Sequence, residues 1–142
     1  MQEVVEDIYM ILYNPPHAKV LLSLEEISLL KQSVQNLVGI KCAGGDEQWY
    51  SQRRELLDDF SVFVPGHTVV YGKPLGANGS YSNVACLSPN GAVKIWDLIE
   101  KDYEKAQELE AKVLNFMKQY ILPFANKLSN TGLDKLLASV GG

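Results

Sequence analysis

Lys41 and Tyr13 are the two residues whose types and positions favour covalent chemistry. Tyr13 ends the apolar run 8–12 and is followed by Asn14-Pro15-Pro16. Lys41 ends the apolar run 37–40 and precedes a glycine-rich turn. The carboxyl ends of parallel strands, just before such turns, are where α/β proteins hold reactive groups. A lysine with a tyrosine near it at these places indicates carbonyl chemistry through a Schiff base.

The predicted spacing of Tyr13 and Lys41 suits one shared substrate. One strand–helix unit separates them, so they are expected at the ends of neighbouring parallel strands, about 4.8 Å apart. An apolar strand end disfavours an ammonium ion and frees the amine as a nucleophile. The iminium that follows is an electron sink, and a phenol can move the protons. From position alone, a strand-end lysine or tyrosine is more often a rim residue that reaches water.

The rest of the chain alternates predicted strands and helices. Short apolar runs ending in turn residues predict strands over residues 8–13, 37–41, 61–64 and, more weakly, 79–82. Capping residues and helical spacing predict helices over residues 23–33, 47–57, 68–75, 88–101, 102–120 and 133–140. This alternation is typical of an α/β fold with parallel strands and right-handed crossovers. We therefore expect a single domain, residues 1–142, with about four βα units and C-terminal helices.

Composition and charge exclude several classes of function. The net charge is −4 and no basic run is longer than Arg53-Arg54, which argues against binding to nucleic acid. No apolar run approaches the roughly 20 residues that cross a bilayer, and Met1-Gln2-Glu3 does not open a secretory leader. Cys42 and Cys86 form neither a disulfide scaffold nor a zinc motif, so we expect a cytoplasmic location. Because the apolar runs are short, we expect no membrane partner.

The remaining polar motifs predict neither a cofactor nor a metal. His17 and His67 are expected in loops, exposed to solvent and without the spacing of metal ligands. Gly72-Lys73-Pro74 lacks the Gly-Lys-Ser/Thr ending of a phosphate loop. Cys42 should face away from Lys41 by strand alternation, so we interpret it as packing against a helix.

Several motifs, taken in their order, resemble the dihydrodipicolinate synthase/N-acetylneuraminate lyase family. They are the strand ends Tyr13-Asn14-Pro15-Pro16 and Val38-Gly39-Ile40-Lys41, and the approach to the last strand, Gly76-Ala77-Asn78-Gly79. Gly66 matches the glycine that follows the strand after the lysine, and Pro89 matches the proline that opens the following helix. The resemblance covers nearly all of this chain but only about the C-terminal half of a family member.

The resemblance implies the C-terminal half of a (β/α)8 TIM barrel, since a full barrel usually needs about 250 residues. It implies that Lys41 forms a Schiff base with pyruvate or another 2-oxo acid and that Tyr13 relays protons. It also places Gly79 and Ser82 at the substrate pocket. The function expected is that of a class I aldolase, lyase or dehydratase. Because a half barrel leaves its edge strands unpaired, we expect a homo-oligomer or a partner N-terminal half barrel.

Two departures from the family pattern bear on substrate and completeness. In the dihydrodipicolinate synthase branch an arginine beyond the strand-end proline binds a second substrate's carboxylate, and Ala18 stands at that place here. His17 and Lys19 flank it without the fork of a guanidinium, which argues against lysine biosynthesis. The family's carboxylate-binding Gly-Thr-Thr loop and a further tyrosine belong to the first half, so we expect the isolated chain to be incomplete as an enzyme.

Two other functions stay open on the residues alone. One is a non-catalytic half-barrel interaction module whose open edges pair with another chain. The other is an independent doubly wound domain that binds a small molecule where its strand order reverses. Trapping of Lys41 by an added 2-oxo acid would distinguish the enzyme from the interaction module.

Overall fold

A four-stranded parallel sheet forms the centre of the computed structural model, which describes residues 8–142. Met1-Gln2-Glu3 lies outside the described residues. The strands are β1 (Met10–Asn14), β2 (Leu37–Cys42), β3 (Ser61–Pro65) and β4 (Gly79–Tyr81), and they pair in chain order. The α/β fold with parallel pairing is thus confirmed. Because the order of these strands never reverses, the sheet lacks the crevice that a doubly wound binder uses, and that alternative is wrong.

Helices connect the strands and complete the chain. They are α1 (Leu24–Ser33), α2 (Glu47–Leu56), α3 (Val69–Leu75), α4 (Val84–Leu87), α5 (Pro89–Lys101), α6 (Tyr103–Phe116) and α7 (Asn130–Gly141). A 3-10 turn at Gly66–Thr68 precedes α3, and irregular helical turns at Met117–Ile121 and Leu122–Phe124 follow α6.

Four of the predicted helix starts are confirmed by their caps. The Ser23 hydroxyl accepts a hydrogen bond from the Glu26 backbone N–H, and the Glu26 carboxylate accepts one from the Ser23 N–H at 2.8 Å. The side chains of Asp46, Ser88 and Asp102 each accept one backbone hydrogen bond at the starts of α2, α5 and α6. Each cap satisfies a backbone donor that has no partner inside its helix.

The structure differs from the predictions at a few boundaries. The first strand begins at Met10 instead of residue 8, and α6 ends at Phe116 instead of residue 120. Pro123 lacks a backbone N–H and crowds the carbonyl four residues earlier, so the chain beyond α6 leaves regular helical geometry. The last helix begins at Asn130, before the predicted residue 133, because Ser129 caps it. The four-residue helix α4 was not predicted, since one turn is too short to show a periodic pattern.

The sheet has one covered face and one open face. On the covered face Ile40, Val62 and Val64 are buried beneath the helices. On the other face Ile11 and Tyr13 remain 38% and 52% exposed. A sheet of a complete (β/α)8 barrel buries its inner face within the closed ring. The open face is therefore what half of such a barrel would present.

Candidate active site

Lys41 lies between two tyrosine rings on the open face of the sheet. Tyr13 on β1 is the direct register partner of Lys41 on β2. The Lys41 Nζ atom lies 4.6 Å from the centroid of the Tyr13 ring and 5.0 Å from the centroid of the Tyr81 ring. Ring faces carry partial negative charge and attract a cation at these distances. The two residues predicted from the sequence are thus adjacent, and Tyr81 joins them without having been predicted.

Strand alternation explains how Tyr81 reaches this place. Lys41 pairs with Phe63 on β3, and Phe63 pairs with Gly79 on β4, so these positions form a row on the open face. A Cβ atom at Gly79 would lie only 2.8 Å from the Phe63 ring. Tyr81, two residues further on the same face, packs on Phe63 with ring centroids 5.3 Å apart. Gly79 therefore makes room for Phe63, which supports Tyr81 beside the amine.

A cavity of about 360 Å³ opens beside Lys41 at the carboxyl ends of the strands. This volume falls within the range of small-molecule sites. Lys41 is the one lysine in its lining, which otherwise mixes aromatic, imidazole, amide, hydroxyl and carboxylate groups. The lining residues are Tyr13, Pro15, Pro16, His17, Lys41, Cys42, Ala43, Pro65, His67, Tyr81, Ser82, Asn83, Cys86, Asn130 and Asp134.

Asn14 fixes the loop that forms one wall of this cavity. Its side chain is buried, with 7% of its surface exposed. The Asn14 Nδ2 donates to the Leu22 carbonyl at 2.9 Å, and its Oδ1 accepts from the Leu22 N–H at 3.1 Å. The Asn14 amide thus satisfies both backbone groups of Leu22, as a neighbouring strand would. It thereby closes the loop that carries Pro15, Pro16 and His17. The sequence marked this residue only as part of a motif.

His67 and Asn83 form a polar pair on the opposite wall. The His67 Nδ1 atom lies 2.9 Å from the Nδ2 atom and 3.1 Å from the Oδ1 atom of Asn83. The amide can donate to a bare ring nitrogen or accept from a protonated one, so the contact orients the imidazole in either tautomer. His17 is exposed as expected, whereas the expectation of an exposed His67 is wrong because this contact holds it half-buried.

The predicted pocket residues Ser82 and Gly79 take different places. Ser82 lines the Lys41 cavity, and its hydroxyl accepts from the Ala85 N–H at 3.3 Å. A Cβ atom at Gly66 would collide with the Ser82 hydroxyl, so the glycine there permits the close approach. Gly79 lies against Phe63 and lines a neighbouring cavity of about 410 Å³. Gly79 affects the Lys41 cavity indirectly, because it leaves room for the Phe63 ring.

Cys42 and the two arginines lie outside the reactive row. Cys42 packs against the helical side of the sheet, and burial raises the pKa of its thiol, although a hydrogen bond from the Gly44 N–H opposes this. Arg53 and Arg54 donate to the carbonyls of Gly76 and Leu75, each at 2.8 Å. Neither guanidinium lines the Lys41 cavity. They therefore do not replace the family's substrate-binding arginine, whose place Ala18 takes.

Two further findings concern metals and membranes. Across residues 8–142, no three or more His, Cys, Asp or Glu side chains lie close enough together to hold a metal ion. No helix in this part of the chain is long and apolar enough to cross a membrane.

A parallel sheet with helices on one face and a lysine at its carboxyl edge defines the class as part of a (β/α)8 barrel. The model of the dihydrodipicolinate synthetase family matches residues 2–138, and the chain belongs to this family. It is 33% identical over 102 residues to the 4-hydroxy-tetrahydrodipicolinate synthase of Teredinibacter turnerae. That match covers 70% of this chain and 35% of the relative. The predicted family membership is therefore confirmed.

Solved structures show the same partial fold. The N-acetylneuraminate lyase of Fusobacterium nucleatum matches with a TM-score of 0.67 and 18% identity, covering 92% of this chain and 54% of that one. The 2-keto 3-deoxygluconate aldolase of Picrophilus torridus matches with a TM-score of 0.68 and 22% identity, covering 99% and 50%. These two matches show the fold alone, and the chain spans about a third to a half of the length of the relatives that it matches.

Proposed function

We propose that this chain carries the Schiff-base half of a class I aldolase, lyase or dehydratase that acts on pyruvate or a related 2-oxo acid. The Lys41 amine attacks the carbonyl carbon, a C–N bond forms, and the carbonyl oxygen leaves as water. The iminium then withdraws electrons from the neighbouring carbon, where a bond breaks or forms. Tyr13 moves the protons that these steps require.

The observation that carries this proposal is the register pairing of Lys41 with Tyr13. Their side chains share the open face, and the amine lies 4.6 Å from the phenol ring, so one small substrate can touch both. The cavity beside them holds no second lysine. The names of the relatives support the reaction class, because they include a synthase, a lyase and an aldolase.

The substrate site extends from Lys41 towards β4 in this proposal. Ser82 offers a hydroxyl in the cavity, and Gly79 leaves room for Phe63, which packs on the lining residue Tyr81. Within residues 8–142, no guanidinium lines the cavity. This argues against a second substrate whose carboxylate is held by two hydrogen bonds from an arginine. We place the protein in the cytoplasm on its cysteine usage alone and treat residues 1–142 as one domain.

The proposed enzyme needs a second half. β1 and β4 are the two edges of the sheet, and Tyr9, Ile11, Tyr13 and Tyr81 on or beside them are well exposed. Unpaired backbone groups with exposed apolar side chains favour pairing with another chain. Either a second copy of this chain or an N-terminal half barrel would close the ring and cover Lys41. The same exposure supports the other candidate function, a non-catalytic module that pairs with another chain.

Borohydride trapping separates these two functions. The protein is incubated with excess pyruvate and borohydride, and the intact mass is measured for the wild type, Lys41→Ala and Lys19→Ala. Lys19 is a suitable control because it lies exposed in the loop after β1. A pyruvyl adduct on the wild type and Lys19→Ala, with little on Lys41→Ala, supports the enzyme. Equal labelling of all three proteins contradicts it and favours the pairing module.

A further inference from the structure

Tyr81 lies beside the amine, and neither the sequence motifs nor the proposed function gives it a part in the chemistry. It ends β4, the edge strand, and its ring centroid lies 5.0 Å from Lys41 Nζ. Tyr13 contacts the same nitrogen from β1 at 4.6 Å. The amine therefore has an aromatic ring on each side, supplied by the two strands at opposite edges of the sheet.

The contact with Tyr81 is built by its neighbours. The Phe63 ring packs on Tyr81 at a centroid separation of 5.3 Å. Phe63 in turn occupies the space that the missing side chain of Gly79 leaves. Tyr81 is nevertheless 49% exposed, so burial of its ring in the core does not explain its position.

We propose that Tyr81 is a positioning residue for Lys41, and that its ring face holds the side-chain nitrogen in the mouth of the cavity. The attraction comes from the ring quadrupole and needs no hydroxyl. The iminium formed during reaction carries the positive charge that such a ring stabilises. With Tyr13 on the other side, the ring limits the amine to a narrow range of positions beside the substrate cavity.

Other polar and charged groups also line this cavity, and the test leaves them unchanged. They come from the β1–α1 loop, β2, the turn after β3, α4 and α7, and they are His17, Cys42, His67, Cys86 and Asp134. Substitutions at Tyr81 leave each of these side chains in place. A change in the Lys41 signal between variants can then be assigned to the ring.

The NMR signal of the Lys41 side chain tests the proposal without any substrate. Lysine labelled with ¹³C and ¹⁵N reports the chemical shift of the protons on Cε, and Lys41→Arg assigns the signal. Because protons above an aromatic face resonate upfield, Tyr81→Ile should move the Lys41 signal downfield. Tyr81→Phe keeps the ring and should leave the signal nearly unchanged. Isoleucine suits the end of a strand, so the variant is expected to fold.

Tyr120→Leu is the matched control, since Tyr120 is 59% exposed and lies outside the lining of the cavity. It should not move the Lys41 signal. An unchanged signal in Tyr81→Ile, or an equal change in Tyr81→Phe, would overturn the proposal. The benefit for imine chemistry rests on the proposed function, but the contact does not. Failure of pyruvate trapping with a shifted Lys41 signal in Tyr81→Ile would refute the function alone, and the reverse result would refute the role of Tyr81 alone.

Discussion

The amine of Lys41 lies over the ring of Tyr13, its direct partner in the parallel register of β1 and β2. Parallel partners point to the same face of a sheet, so this pairing fixes both side chains on the open face. The two residues are separated by one helix in the sequence and by one strand spacing in space. This relationship brings an amine and a phenol to one place, as the proposed Schiff-base chemistry requires.

The hydroxyl of Tyr13 should matter more than its ring for proton transfer. Tyr13→Phe is expected to slow Lys41-dependent exchange of the pyruvate methyl protons with deuterium roughly 10²–10⁴-fold, because the variant lacks the acid–base group. NMR of pyruvate in D₂O measures this rate without knowledge of the second substrate. Tyr9→Phe is the control, as Tyr9 lies exposed just before β1. An unchanged rate in Tyr13→Phe would reduce Tyr13 to a packing residue.

Asn14 should contribute to stability through the loop that it closes. Asn14→Ala removes both side-chain partners of Leu22 and is expected to cost about 1–3 kcal/mol, because the Leu22 groups are partly buried. Urea denaturation measures the free energy of unfolding. Asn90→Ala, at an exposed helix position, should change it by less than about 0.5 kcal/mol. Equal effects of the two substitutions would show that the Asn14 bonds add nothing to stability.

The thiol of Cys42 should react slowly despite its place next to Lys41. Burial raises its pKa, so the thiolate fraction at pH 8 is lower in the folded protein than in the unfolded chain. Iodoacetamide labelling in a Cys86→Ala background measures this directly, with the same protein in denaturant as the reference. Labelling should accelerate as the pH rises and on unfolding. A folded-state rate equal to the denatured rate would mean that the thiol faces solvent.

The open face should make this chain associate. At micromolar concentration, sedimentation is expected to show a species larger than the monomer, because an apolar face and two strand edges are uncovered. Ile11→Lys adds a charge to that face and should shift the distribution towards monomer. Leu29→Lys, on the outer side of α1 and 63% exposed, serves as the control. A monomer with the β1 amides protected from hydrogen exchange would contradict the half-barrel arrangement.

Much of the fold follows from local chemistry in the sequence. Caps such as Ser23 and Asp46 act within one helical turn, and the predicted helix starts agree with the structure at both. Lys41 and Tyr13 could be placed together because two consecutive parallel strands bring their ends to one edge. These features depend on neighbours in sequence or on a single crossover.

The missed features depend on contacts across several strands. The resemblance implied that Gly79 and Ser82 both lie at the pocket, although alternation along the predicted strand over residues 79–82 sets them on opposite faces. Tyr81 shares a face with Gly79, and that alternation is the signal that could have found it. Its approach to Lys41 also requires the Phe63 ring to occupy the space at Gly79, which no local pattern reveals. The pairing of His67 with Asn83 likewise joins residues 16 apart.

Locating the pyruvate adduct on the chain decides whether Lys41 is the Schiff-base residue. After reduction with borohydride, the protein is digested and each lysine-containing peptide is sequenced by tandem mass spectrometry. The pyruvyl group is expected on Lys41, between Tyr13 and Tyr81. An adduct confined to other lysines, such as the exposed Lys19, would contradict the assignment of Lys41 as the Schiff-base residue.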